Sequence, residues 1–130
     1  MKFDPMPSEC NNCGGKRVIY GRMTELGIKA YQSGYCYYCL DCGAYVGTHM
    51  NRPKEALGIL SDSKTRKLRV TCHKEIDKHW YSSAGKNRAY YRLSQEMGMK
   101  SENCHFGYMD YEQLVEALHI MKKWGDYNAK

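Results

Sequence analysis

The chain has 130 residues, 42% of them hydrophobic, and 20 Lys and Arg against 14 Asp and Glu give it a formal charge of +6. That length suits one domain, or one domain with a small module, and supports a core modest enough that an external staple is expected. No apolar run approaches the roughly 18–20 residues of a membrane span, and the opening MKFDPMPSEC lacks the apolar stretch of a secretory signal. The expectation is a soluble protein of the cytoplasm.

Seven cysteines are a high and odd number for this length. In a chain read as non-exported, metal binding replaces disulfide formation as their leading explanation. Cys10-Asn-Asn-Cys13-Gly14 and Cys39-Leu-Asp-Cys42-Gly43 share the pattern C-x-x-C-G. Two thiolates so spaced can bite one ion if the backbone between them turns tightly, and the following glycine tolerates the left-handed conformation such a turn requires. Four sulfurs fill a tetrahedral Zn²⁺ site and leave no position for water, so one structural zinc is predicted on Cys10, Cys13, Cys39 and Cys42. Cys36-Tyr-Tyr-Cys39 is also C-x-x-C, but Leu40 rather than glycine follows it, and Tyr35, Cys36, Tyr37 and Tyr38 have the composition of a strand. Cys36 is therefore assigned to a strand. With a second strand within Arg17–Leu26, the hooks sit on β-hairpins and form a zinc ribbon over residues 1–50.

Beyond the second hook the chain resembles a family of small zinc-finger-containing domains of unknown function found in phages and prophages. The matching residues are Ala44-Tyr-Val-Gly-Thr-His49, Leu57-Gly58-Ile-Leu-Ser-Asp62, His73, Asp77 and Trp80, Leu93 with Met97-Gly98, and Cys104-His105-Phe-Gly107 with Asp110. Met50 and Asn51 follow His49 where that family has a glycine. The resemblance implies a phage or mobile-element origin and action inside a bacterial host cell, agrees with the zinc reading, and supplies no activity.

Pro53 and its polar neighbours read as a connector to a helical part over 51–130. Ser61-Asp-Ser63 offers N-caps for a helix running to about Trp80. Leu68, Cys72, Ile76, His79 and Trp80 fall on one face of it, and Lys64, Lys67, Lys74 and Lys78 on the other. A second helix is predicted over Lys86–Met97, with Leu93 and Met97 inward and Gly98 as its C-cap. Asp110-Tyr-Glu-Gln113 has capping-box spacing for a third, whose apolar stripe is Leu114, Val115, Leu118 and Met121. Cys72 and Cys104 read as small core residues. The predicted class is α+β: a four-cysteine ribbon followed by, and packed against, about three helices.

Residues 63–92 hold nine Lys and Arg against Glu75 and Asp77, so the entire positive excess lies in the first two helices. A basic face at helical spacing, with aromatic pairs such as Trp80-Tyr81 nearby, fits nucleic-acid binding, with contacts by Lys64, Lys67, Lys74, Lys78, Arg88 and Arg92. The alternative is a protein-binding module or inhibitor acting on a host enzyme or defence complex. A third reading is a metal-dependent nuclease using His49, His73 and His105 with Asp77. No H-E-x-x-H pair or nucleophile elbow supports it, and each histidine alone is more often a structural hydrogen-bonder.

Overall fold

The computed structural model describes residues 4–124, in which four antiparallel strands precede three α-helices. The strands are β1 (Val18–Arg22), β2 (Tyr35–Cys39), β3 (Tyr45–His49) and β4 (Arg52–Ala56). The helices are α1 (Ser63–Ile76), α2 (Ser83–Met97) and α3 (Tyr111–Lys122). The fold is α+β, with the strand order β1-β2-β3-β4 of a simple meander. Backbone proximity separates two compact units, one ending at Ser63 and one beginning at Lys64.

In the first unit the aromatic run of β2 takes the centre of the sheet. Tyr37 stands between Tyr20 of β1 and Val46 of β3. Because side chains alternate across a strand, Tyr37 and Cys39 turn to the face shared with Cys10, Ala44, Val46, Ala56 and Leu60, which form a small buried cluster. Cys36 turns the other way, opposite Gly21 and Gly47, fully buried and with its thiol pKa raised by that burial.

The connector expected around Pro53 is a strand. Arg52-Pro-Lys-Glu-Ala56 has poor β composition, and its pairing with β3 slips between Thr48↔Ala56 and His49↔Arg52. The irregular pairing is compensated from across the sheet. The Tyr20 hydroxyl donates to the Pro53 carbonyl and the Tyr37 hydroxyl to the Lys54 carbonyl, each at 2.6 Å. Proline is tolerated because β4 is an edge strand. The segment after β4 is tied down by Asn11, whose side-chain amide accepts from the Leu60 N–H and donates to the Leu60 carbonyl, both at 2.9 Å.

In the second unit Cys72 and Ile76 of α1, Leu93 of α2, Leu114, Ala117 and Met121 of α3, and Cys104, Phe106, Met109 and Trp124 between and beyond them form one core. Burial pushes the thiols of Cys72 and Cys104 up to about 11, so both are inert packing residues. The Cys72 thiol donates to the Leu114 carbonyl at 3.4 Å. α1 stops at Ile76 rather than Trp80. Asp77–His79 form a single 3₁₀ turn and Trp80 is extended, which lets the indole N–H donate to Asp77 at 3.1 Å. α2 begins three residues before the predicted start, at Ser83, because the Ser82 hydroxyl caps the Gly85 N–H. Gly98 closes it in the left-handed conformation, and Asp110 with Gln113 forms the predicted capping box on α3.

Glu75 is the buried charge of this unit. His79 lies 3.3 Å from its carboxylate, and Lys78 and Lys122 each at 3.4 Å. Burial favours its neutral form, but the hydrogen bond from His79 and the two lysines outweigh that and hold the pKa below the usual carboxylate range. A depressed folded-state pKa stabilises above the unfolded value, about 4.3 for Glu, and the contribution is lost as pH falls through the folded value. Glu75→Gln is therefore expected to lower the thermal midpoint near neutral pH. In thermal melts at stepped pH the gap to the native chain should close in acid, below about pH 4.

Candidate metal centre

Both hooks close as their sequence predicts. In the first, the Gly14 N–H donates to the Cys10 carbonyl at 2.7 Å and the Cys10 N–H to the Gly15 carbonyl at 2.8 Å. In the second, the Gly43 N–H donates to the Cys39 carbonyl and the Cys39 N–H to the Ala44 carbonyl, each at 2.9 Å. Gly14 and Gly43 take φ of 77° and 82°, the left-handed region where a side chain would be strained. The closed turns aim backbone amides at sulfur: Asn12 N–H lies 3.4 Å from Cys10 Sγ and Gly15 N–H 3.3 Å from Cys13 Sγ.

The four sulfurs converge within 4.8 Å of one another. Cys10 Sγ is 3.7 Å from Cys42 Sγ, and Cys13 Sγ is 3.6 Å from Cys39 Sγ. Those separations exceed a disulfide bond of about 2.05 Å. They match instead the edge of a tetrahedron of sulfurs around zinc, about 3.8 Å for Zn–S bonds near 2.3 Å. The cluster fits a single Zn²⁺. It is filled by protein sulfur on all four corners, so the ion it holds organises the fold and has no open position for a substrate. Among the described residues this is the one group of three or more Cys, His, Asp or Glu side chains that converges to hold a metal. Cys36 is not part of it.

As thiols the four ionise unequally. Burial opposes ionisation of Cys42, but the Ala44 N–H, the Asn12 amide and the thiols of Cys13 and Cys10 donate to its sulfur and hold its pKa at about 7. Burial pushes Cys10 up to about 12 against the backbone N–H groups of Cys13 and Asn12. A metal must displace the remaining protons, so uptake releases acid and affinity falls as pH falls.

The hooks are also fastened to each other. Arg17 grips one Asp41 oxygen through Nε and a terminal nitrogen, both at 2.7 Å, and the Leu40 N–H donates to the Arg17 carbonyl at 2.9 Å. Gly15 lies so close to Asp41 that a Cβ there would collide with the carboxylate. Gly15→Ala is expected to displace Asp41 and loosen zinc roughly 10–100-fold, read by competition against a zinc-chelating dye.

A comparison with known protein families matches residues 6–124 to a zinc-finger-containing domain. The chain belongs to this zinc-finger-containing family. Neither the curated proteins nor the solved structures compared with it give a match. The family description agrees with the cysteine cluster and with metal binding, and it names no reaction.

The remaining sequence-predicted residues of this zinc-finger protein lie outside the metal centre. His49 ends β3, half-buried. His73 is edge-on to Phe106 with ring centres 4.9 Å apart, and His105 to Tyr108 at 4.8 Å. Asp77 is engaged by the Trp80 indole. Lys64, Lys67, Lys74, Lys78, Arg88 and Arg92 are all exposed. Three of them have intramolecular partners: Lys78 with Glu75, Arg92 with Glu96 at 2.8 Å, and Lys64, whose ammonium lies 4.4 Å from the centre of the Tyr111 ring. Arg69 is drawn inward, its Nε donating to the Phe106 carbonyl at 3.0 Å. Sequence reasoning missed Asn11, Arg17 and Asp41, whose roles depend on partners 24 to 49 residues away in the chain. It missed Trp124 as well, which is buried and meets His79 edge-on at 5.2 Å. No helix of the described residues is long and apolar enough to cross a membrane.

Proposed function

We propose that this zinc-finger protein binds nucleic acid through its helical unit, with the basic back of α1 as the primary contact. The observation that carries the reading is the exposure of Lys64, Lys67, Lys74 and Lys78 together. Spacing of three and seven residues keeps Lys64, Lys67 and Lys74 within about 80° around α1 at 100° per residue, and Lys78 follows on the 3₁₀ turn after the helix ends. A row of ammonium groups on a straight helix meets successive phosphates, and release of condensed counterions drives the association. Arg88 and Arg92 extend the positive surface onto α2. The zinc acts in this reading through the fold alone. Its four thiols require a reducing compartment, which favours the cytoplasm.

The test is fluorescence anisotropy of the zinc-loaded chain with labelled single- and double-stranded DNA and RNA across a salt series. The reading expects log affinity to fall linearly with log salt, by about 0.9 per phosphate neutralised on a duplex. Absence of binding to every one of these at low salt removes it.

A further inference from the structure

The helical unit carries a cleft that neither the zinc nor the α1 face uses. It encloses about 190 Å³, and His79, Trp80, Tyr81, Arg88, Arg92 and Trp124 stand among its walls. The chain has two tryptophans, and both are here. Their indole N–H groups are already directed to carboxylates that do not line the cleft, Trp80 to Asp77 at 3.1 Å and Trp124 to Glu96 at 3.2 Å. Trp80 therefore presents apolar π-surface rather than a donor, while the Trp124 ring is 7% exposed and covered by the Arg92 guanidinium. Tyr81 is 73% exposed beside them.

The cations at this cleft decide what chemistry it accepts. The Arg92 guanidinium stacks 4.4 Å above the Trp124 ring, and the Lys86 ammonium lies 5.6 Å from the centre of the Trp80 ring. Arg88 has no carboxylate partner among the described residues. Aromatic walls flanked by cations repel an ammonium ligand, which would otherwise suit an aromatic site. They favour a flat, π-rich group that carries negative charge. The volume is below the roughly 300–1,000 Å³ of sites for drug-sized molecules, which limits the occupant to a single ring system.

We propose that this cleft receives one unstacked base of a single-stranded nucleic acid, stacked against the Trp80 and Tyr81 surfaces with its phosphate on Arg88. The inference rests on the nucleic-acid reading above and deepens it from phosphate contact to preference for single strands. Stacking on exposed aromatics tolerates any base, so no sequence preference accompanies it.

Because both tryptophans line the cleft, intrinsic tryptophan fluorescence of the zinc-loaded full chain reports its occupancy directly. Titration with an unlabelled single-stranded oligonucleotide should quench that emission to saturation, while a duplex of equal length binds by anisotropy with little quenching. Gly85→Leu fills the cleft from α2 without altering charge; a Cβ at Gly85 would meet Trp80 Cβ and Ser82 Oγ at 3.4 Å, ordinary contact distance. It should abolish quenching and leave duplex anisotropy unchanged. Tyr81→Ala, at an exposed position, should weaken single-strand binding roughly 5- to 100-fold and duplex binding hardly at all. Binding by anisotropy with no single-strand quenching overturns the stacked base and leaves the phosphate reading standing. Quenching by an acidic aromatic peptide in preference to the oligonucleotide overturns it in favour of a protein segment. Absence of any anisotropy signal overturns both readings together.

Discussion

Removal of zinc by a chelator, or Cys39→Ser, is expected to unfold the strand unit while the helices stay folded. The buried cluster of that unit is small, and two of its members, Cys10 and Cys39, are themselves ligands. Zinc on four thiolates supplies on the order of 10 kcal/mol, comparable with the whole stability of an ordinary domain, about 5–15 kcal/mol. The loss should propagate from the hooks, because the Cys39 N–H, the Asn11 amide and the Arg17–Asp41 pair hang the sheet and the 60–61 segment on them. The helical core has its own eleven buried residues and no metal ligand among them. Hydrogen exchange should show the amides of β1, β2 and β3 losing protection on chelation while those of α2 and α3 keep it. Equal loss in both units would show that the metal's contribution is not confined to the strands.

Reversing three charges on α1, in the combined variant Lys64→Glu, Lys67→Glu and Lys74→Glu, is expected to reduce duplex affinity by about 10²–10³-fold near 0.1 M salt. The salt slope should fall by about 3, since each lysine that no longer neutralises a phosphate removes about 0.9. These three are the better choice because Lys78 also neutralises buried Glu75. All three side chains are exposed, so helix content by circular dichroism should be nearly unchanged. Weakened affinity with an unchanged slope would mean that the lysines act on the fold rather than on phosphates.

The metal site was legible in the sequence because its chemistry is local. Each hook is five residues long, its glycine answers a conformational demand within the same turn, and the tetrahedron needs only that the two hooks meet. Gly98 and the Asp110–Gln113 box were legible for the same reason: a cap is satisfied within one turn. Cys36 was separable from Cys39 because the pattern of residues following each differs. β4 was not legible, since Arg52–Ala56 has no strand composition and owes its place to tyrosine hydroxyls some 17 and 33 residues earlier. The start of α2 was hidden by Gly85, a poor helix former that here faces a cleft. That cleft joins residues 79–92 to Trp124, and no pattern along the chain connects them. The basic face was legible as periodicity, whereas the engagement of Arg69, Arg92 and Lys78 by internal partners required the packed helices.

Metal content of purified single-cysteine variants tests the central assignment most directly. The native chain should carry one zinc per molecule. Cys10→Ser, Cys13→Ser, Cys39→Ser and Cys42→Ser should each lose it or hold it far more weakly, while Cys36→Ala, Cys72→Ala and Cys104→Ala should retain it in full. Two zinc ions per chain, or loss of zinc from Cys36→Ala with retention in Cys42→Ser, would contradict the four-thiolate site.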